Sequence, residues 1–388
     1  MQSFDFRLRT RIVRGTGTLA QLGELAAEVL ALAGDGRRVL LVSDPGIVAA
    51  GHVQRGIDSL TTAGLEVQLF DGAQENPTTD NIEEALVAAK EFKPNLLVGL
   101  GGGSSMDCAK GVNFVYSGGG TMHDYHGVGK ASKPMLPMIA VPTTSGTGSE
   151  MQSFALISDA KTHVKMACGD KKASCRVAIL DPELTLTQPA QVTSLTGIDA
   201  VSHAVETCVT KRRNPVSVQY SKEAWRLLEA NFETVLQNPD DLEARAAMQL
   251  GAAYSGVAIE NSMLGAAHAL ANPLTATYDI AHGQAVGLML PHVVRFNGVE
   301  FDDLYRGLLN ASGSMVQVDH GQSASEYLAG LLTRLVSNAG LEVKLAALGV
   351  EQDKLQSLAA AAAEQWTGTF NPRAVDSESL LGLYQNAF

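Results

Sequence analysis

Residues 95–110 read NLLVGLGGGSSMDCAK: an apolar run over Asn95–Leu100, three glycines at 101–103, two serines, and a helical pattern over Ser105–Tyr116. An apolar run bounded in this way is a strand buried on both faces, as in a parallel sheet. Glycines at its end, Gly102 and Gly103 among them, let phosphate oxygens approach backbone N–H groups, and the helix that follows adds a favourable dipole. Ser104 and Ser105 supply an N-cap and a further donor. Asp107, in the first helical turn, also reads as a carboxylate that complements the dipole. A plain tight turn would look the same, so the neighbouring chain has to decide.

Upstream, RVLLVS (38–43) is a second apolar run, closed by Asp44-Pro45-Gly46. A helix over 46–63, a strand over 65–70 (LEVQLF), a loop at 71–79 (DGAQENPTT) and a helix over 80–92 follow. Downstream, a strand over 135–141 runs into VPTTSGTGSE (141–150), a turn carrying Thr143, Thr144, Ser145 and Thr147 with Gly146 and Gly148. Strands separated by helices imply βαβ units and a parallel sheet covered on both faces. Two polar, glycine-bearing turns at strand ends then lie on one edge of that sheet, where α/β proteins bind ligands, and together they point to a dinucleotide. Neither is a G-x-G-x-x-G fingerprint, so this is not the usual first-turn Rossmann arrangement, and a Walker A loop is absent. Asp44 stands where a carboxylate accepts from a ribose and repels a 2′-phosphate, which favours NAD over NADP. It reads equally as the N-cap of the helix starting at Pro45.

Beyond Glu150 the pattern changes. Short strands at 154–158, 164–167 and 177–180 precede Asp181-Pro182. From Gln191 onward the chain has 3.6-residue periodicity, with helices expected around 192–210, 216–236, 241–260, 281–298, 322–338 and 351–364. The expected organisation is an α/β N-terminal dinucleotide-binding domain with a parallel sheet (1–185) and an all-α C-terminal domain (186–388).

Composition agrees with this and excludes other classes. With 388 residues, 45% hydrophobic and 18% charged, the chain resembles a soluble globular protein of two domains. A net charge of −12 argues against nucleic-acid or anionic-membrane partners, which need basic surface. MQSFDFRLRTRIVRG lacks the apolar core of a signal peptide, and no apolar run approaches the roughly 20 residues that span a bilayer. Cys108, Cys168, Cys175 and Cys208 form no CxxC pair and read as free thiols in a reducing cytoplasm, with a Cys168–Cys175 disulfide as the alternative.

The second half carries a set of metal-binding types. GIDAVSHAVE (197–206) places Asp199 and His203 four residues apart, one helical turn, so both side chains point the same way. His268 follows Gly265-Ala266-Ala267, read as the end of a helix, and His282-Gly283 opens another. One Asp and three His give mixed oxygen and nitrogen ligation suited to Fe2+ or Zn2+. His292 is ten residues beyond His282, nearly opposite on the same helix, and is not counted as a ligand. His52, His123, His126, His163 and His320 have no partner in a recognisable frame and read as surface or structural.

These motifs together resemble the iron-containing (group III) alcohol dehydrogenases. The resemblance rests on GGGSSMDCAK (101–110), PTTSGTGSE (142–150), GIDAVSHAVE (197–206) and AAHALANPL…AHG…LPHV (266–293), with weaker echoes in RGTGTLAQL (14–22), ENPT (75–78) and NPRAV (371–375). It implies the metal ligands Asp199, His203, His268 and His282. It implies cofactor contacts from Asp44, Asn76, Gly102, Gly103, Ser104, Asp107, Thr143, Thr144, Thr147 and Lys165. It also implies NAD and Fe2+, with Zn2+ as the alternative ion, and a homo-oligomer, a dimer or larger. The implied reaction interconverts an alcohol with an aldehyde or ketone, the metal polarising the substrate oxygen while hydride passes to the nicotinamide.

One place departs from the family pattern. Many members read H-x-M-A-H-P, with a second histidine near nicotinamide and substrate; here HALANP puts Asn272 there. The catalytic group implied is thus His268, His282 and Asn272, and an amide cannot titrate, which puts a proton relay at this position in doubt. Two other readings stay open: a dehydroquinate synthase-like lyase using NAD and a metal, and a non-catalytic dinucleotide-binding protein. Phe154, Met263 and Tyr278 read equally as pocket walls and core residues, so the sequence does not name the alcohol.

Overall fold

The apolar runs at 38–42, 96–101 and 138–142 become strands because both of their faces are buried. In the computed structural model the strands are β1 (Arg11–Arg14), β2 (Arg38–Val42), β3 (Glu66–Phe70), β4 (Leu96–Gly101), β5 (Gly127–Val128), β6 (Met138–Pro142), β7 (Phe154–Ser158), β8 (Lys165–Gly169) and β9 (Val177–Leu180). The described residues are 3–34, 36–162, 164–312 and 321–388; His163 and His320 lie outside them. Six strands form one sheet in the order β1-β9-β6-β4-β2-β3, and every pairing in it is parallel. Along β2, Leu40 and Val42 face one apolar core while Val39 and Leu41 face another. That two-sided burial is what the unbroken apolar runs encode. A smaller sheet has the order β5-β8-β7, with β7 and β8 antiparallel.

Helices α1 (Leu22–Ala33), α2 (Pro45–Ala49), α3 (His52–Thr62), α4 (Thr79–Phe92) and α5 (Gly103–Gly118) connect these strands. The single helix expected over 46–63 is two, because Gly51 takes the left-handed φ of 81° and interrupts it. β1 was not expected; four residues with charged ends give no alternation to read, and the strand forms by pairing with β9 at the sheet edge.

From Pro189 onward the chain is helical among the described residues: α6 (Ala190–Val209), α7 (Pro215–Gln237), α8 (Leu242–Ser262), α9 (Ala266–Tyr278), α10 (His282–Leu309), α11 (Ala324–Asn338), α12 (Leu355–Ala363) and α13 (Ser377–Ala387). They share one core that includes Trp225, Phe232, Leu270 and Tyr384. α10 runs past its expected end near 298, through a break at Phe301. α9 was not expected as a helix, because Pro273 lies in its interior and removes a backbone donor. Two compact units result: one comprises Met1–Phe6, Ser145–Thr147 and Pro189–Phe388, the other Arg7–Thr144 and Gly148–Gln188.

All four cysteines are buried free thiols, so the alternative disulfide does not form. Among the described residues no helix is long and apolar enough to cross a membrane.

Candidate active site

In the α/β unit, β3 adds to one side of β2 and β4 to the other, so the order of strand addition reverses between β2 and β4. Ligands of open parallel sheets bind beside such a reversal, at the carboxyl ends of the strands. Three of the expected segments stand there: Asp44 after β2, Gly102–Ser105 after β4, and Thr143–Thr144 after β6. The Thr143 N–H donates to the Gly101 carbonyl at 3.0 Å, joining two of these turns. Gly101 has φ 152°, and a Cβ added there would lie 2.4 Å from Ser105 Oγ, so only glycine fits. No side chain caps the first turn of α5, which leaves its N–H groups to an outside acceptor. The Thr143 hydroxyl is buried and has no hydrogen-bond partner. An uncapped helix start and an orphaned hydroxyl fit a phosphate-bearing cofactor.

Two more expected residues, Asn76 and Lys165, converge on the same turn. Asn76, with a left-handed φ of 50°, donates its N–H to Ser104 Oγ at 3.3 Å and accepts from Lys165 Nζ at 3.1 Å. Asp44 combines its two readings: Oδ1 accepts from the Ile47 N–H as an N-cap, and Oδ2 accepts from Ser105 Oγ at 2.8 Å. Asp107 is placed differently. Its Oδ1 accepts from Ser149 Oγ at 2.6 Å, its Oδ2 accepts from the Leu156 N–H at 3.1 Å, and Lys110 Nζ is 3.8 Å away. Lys110 is fully buried and donates to the Ser149 carbonyl, Ser149 Oγ and the Phe154 carbonyl at 2.6, 2.8 and 3.0 Å. Asp107 therefore ties α5 to the Thr-rich turn and β7. Burial pushes its carboxyl up, against the opposing pull of Lys110 and the Ser149 and Leu156 bonds. Lys110 and Ser149 acquire these roles only in the fold, because nothing in a sequence distinguishes a buried lysine from a solvated one.

The helical unit holds the second group. Asp199 and His203 lie on α6, His268 is the third residue of α9, and His282 is the first of α10. His268 thus begins a helix rather than following one. Three imidazole nitrogens surround a single carboxylate oxygen: His203 Nε2, His268 Nε2 and His282 Nε2 lie 3.3, 3.7 and 3.8 Å from Asp199 Oδ1. Donors held at ~2.0–2.1 Å around a tetrahedral ion sit about 3.3–3.4 Å from one another, close to these separations. Asp199, His268 and His282 offer donor atoms that all lie within 4.8 Å of one another. His203 is not in that set; its ring stacks on that of His268, centroids 4.9 Å apart.

Asp199 Oδ1 and His268 Nε2 are both buried and lack a hydrogen-bond partner. Such orphaned groups are costly unless a ligand satisfies them. For Asp199, burial opposes ionisation, but the three histidines outweigh it and hold the carboxyl well below the usual range. Burial likewise opposes charge on His268, but Glu206 and Asp199 outweigh it and push the imidazole up to about 9. The donor set fits a divalent cation. Glu206, on α6 one turn beyond His203, went unassigned in the sequence; its Oε2 lies 2.5 Å from His268 Nδ1.

Comparison with known proteins bears directly on this pairing of sites. A family model described as iron-containing alcohol dehydrogenase matches residues 9–182, and its C-terminal counterpart matches 193–388. The chain belongs to the iron-containing alcohol dehydrogenase family. It is 32% identical over 383 residues to the NAD-dependent methanol dehydrogenase of Bacillus methanolicus, covering 99% of each chain. It is 32% identical to the 1,3-propanediol dehydrogenase of Klebsiella pneumoniae, covering 91% of this chain and 92% of that one. A crystal structure of a 1,3-propanediol oxidoreductase superimposes with a TM-score of 0.94 at 30% identity over the whole of both chains. As an iron-containing alcohol dehydrogenase, the protein is an oxidoreductase that interconverts an alcohol with an aldehyde or ketone, using NAD and a metal.

Within this alcohol dehydrogenase, Asn272 lies one turn beyond His268 on α9 and donates from Nδ2 to Gln365 Oε1 at 2.9 Å. His292 is not among the convergent donors; burial and Arg295 push its imidazole down to about 4.

Proposed function

We propose that Asp199, His203, His268 and His282 hold an Fe2+ ion, and that the turn after β4 holds NAD for oxidation of a small alcohol or reduction of the matching aldehyde. The observation that carries this reading is the set of three imidazole Nε2 atoms around Asp199 Oδ1. Bound there, a divalent ion acts as a Lewis acid on the substrate oxygen. Mixed imidazole and carboxylate ligation suits Fe2+, and Zn2+ is the alternative ion for the same donors.

The chain's own residues orient the cofactor. Gly102, Gly103 and Ser104, at the uncapped start of α5, receive the pyrophosphate. Thr143, Thr144 and Thr147 add hydroxyl donors, while Asn76 and Lys165 approach from the neighbouring loop and strand. Asp44 receives the ribose and disfavours a 2′-phosphate, which supports NAD over NADP. Asp107 acts from behind, through Ser149 and Lys110. Asn272 is a hydrogen-bonding group that holds no transferable proton, so it would orient a proton carrier and not act as one.

Relatives named for methanol and 1,3-propanediol support a small alcohol as substrate. We assign residues 1–185 to NAD binding and 186–388 to metal binding, in a cytoplasmic homodimer or larger assembly. Metal analysis of protein purified without added metal, followed by assays of NADH and NADPH against a panel of aldehydes, tests this reading. Fe2+ restoring NADH-dependent activity supports it; equal activity after complete metal removal overturns it. His268→Ala should abolish metal retention.

A further inference from the structure

We infer that Glu206 is a positioning residue for the metal: it fixes the tautomer and ring orientation that make His268 a ligand. The inference rests on the metal-site reading above and adds to it a residue that touches neither ion nor substrate. A neutral imidazole carries one N–H and one lone pair, so it ligates through one nitrogen only if the other holds the proton. His268 Nδ1 lies 2.5 Å from Glu206 Oε2, and the other oxygen, Oε1, accepts from the Ala267 N–H at 2.7 Å. An ionised carboxylate only accepts, so the proton belongs on Nδ1. The lone pair is then on Nε2, the nitrogen 3.7 Å from Asp199 Oδ1 and without a hydrogen-bond partner.

The same carboxylate fixes where the ring sits. Its bond to Ala267 satisfies a donor in the first turn of α9, beside His268 itself. Asn371 Oδ1 accepts from the preceding N–H, that of Ala266, at 3.3 Å. Glu206 is 3% exposed, so water does not compete for either bond. Residues 199, 203 and 206 fall at i, i+4 and i+7 on α6, one face of the helix. One helical stripe thus carries two ligands and the group that orients a third. Asp199 and Glu206 also bring two negative charges, which balance those of a divalent ion.

Glu206→Gln separates orientation from packing. The carboxylate accepts two bonds with two oxygens, whereas the amide has one acceptor and one donor end. With its oxygen on Ala267, the amide donates to Nδ1 and moves the His268 proton to Nε2, against the ion. Three measurements test this: Zn2+ affinity by chelator competition for wild type, Glu206→Gln and His268→Ala; the His268 tautomer from 15N shifts of metal-free protein at about pH 10, above the value of about 9 to which Glu206 and Asp199 push the imidazole, so that the ring is neutral; and thermal unfolding of the metal-free forms. We expect Nδ1–H in wild type, Nε2–H in Glu206→Gln, and a loss of affinity of about 10–100-fold in that variant. An Nε2–H tautomer in metal-free wild type overturns the inference without any variant having to fold. So does a folded Glu206→Gln that binds as wild type does. If wild type binds no Zn2+, or His268→Ala binds it fully, the metal-site reading itself fails, which is a different result.

Discussion

Gly283 lies so close to α6 that a Cβ added there would stand 2.1 Å from the Leu195 carbonyl oxygen. The obstacle is helix backbone, which cannot swing aside as a side chain does. Because Gly283 follows His282, this contact sets the start of α10 against the helix that carries Asp199 and His203. Gly283→Ala should force the two helices apart and carry His282 away from the convergent donors. We expect stability lower by about 1–3 kcal/mol and a weakened metal affinity. Urea unfolding of the metal-free protein and chelator competition measure the two effects separately. A variant with wild-type affinity would show that His282 does not depend on this approach.

Lys110 is the second test of internal support. Its ammonium makes three hydrogen bonds in a site with no solvent exposure, and Asp107 is its nearest carboxylate. Lys110→Met removes the cation and leaves Asp107 buried and uncompensated, a change that costs about 3–5 kcal/mol in comparable pairs. Adding Asp107→Asn should recover part of that loss, because the two residues act as a pair. Denaturant unfolding of the two single variants and the double variant measures the coupling; strict additivity would mean that the residues act independently.

Glu150, in the same Thr-rich turn, gives a pH signature. It is 3% exposed, and burial pushes its carboxyl up to about 7 against the pull of its own backbone hydrogen bond and Lys110. In an unfolded chain the group titrates near ~4.3. Between those two values the folded state keeps a proton that the unfolded state has released, so stability falls as pH rises through the window and levels off above it. Glu150→Gln cannot ionise. Its stability relative to wild type should rise from pH 4 to pH 7 by about 2–4 kcal/mol and then stay constant. Thermal unfolding at pH 5 and pH 8 checks this, and a difference independent of pH would show that the carboxyl ionises as it does in solvent.

These residues mark where the sequence is legible and where it is not. The parallel sheet was readable because two-sided burial leaves unbroken apolar runs in β2, β4 and β6. Asp199 and His203 were readable because a helix converts a spacing of four into a shared direction. Glu206 was not, since a glutamate one turn further on reads as a solvated carboxylate until α9 is placed against it. α9 was itself hidden by Pro273, whose missing donor argues against a helix; burial of Leu270, Ala271 and Leu274 in the core outweighs that cost. Asp107 was recognised as a carboxylate in a first turn, but its partners, Ser149 and Leu156, are 42 and 49 residues away in the chain. Local patterns show directions and faces, whereas long-range partners appear only with the fold.

Asn272 decides whether the proton route of this enzyme differs from that of relatives with histidine there. It lies four residues beyond His268, on the same side of α9, and its Nδ2 already donates to Gln365 Oε1. An amide does not titrate in the working range, so the pH profile of kcat should contain no ionisation belonging to this position. Asn272→Ala should therefore change the magnitude of kcat or KM while leaving the shape of the profile intact. Asn272→His should introduce a new ionisation within about one pH unit of 6.5, displaced according to how far the ring is buried. Steady-state rates from pH 5 to 10 at saturating metal and NAD distinguish the cases. If Asn272→Ala instead erased an ionisation present in wild type, the amide would have to be holding the titrating water or ribose in place, and its bond to Gln365 would then be part of the proton path.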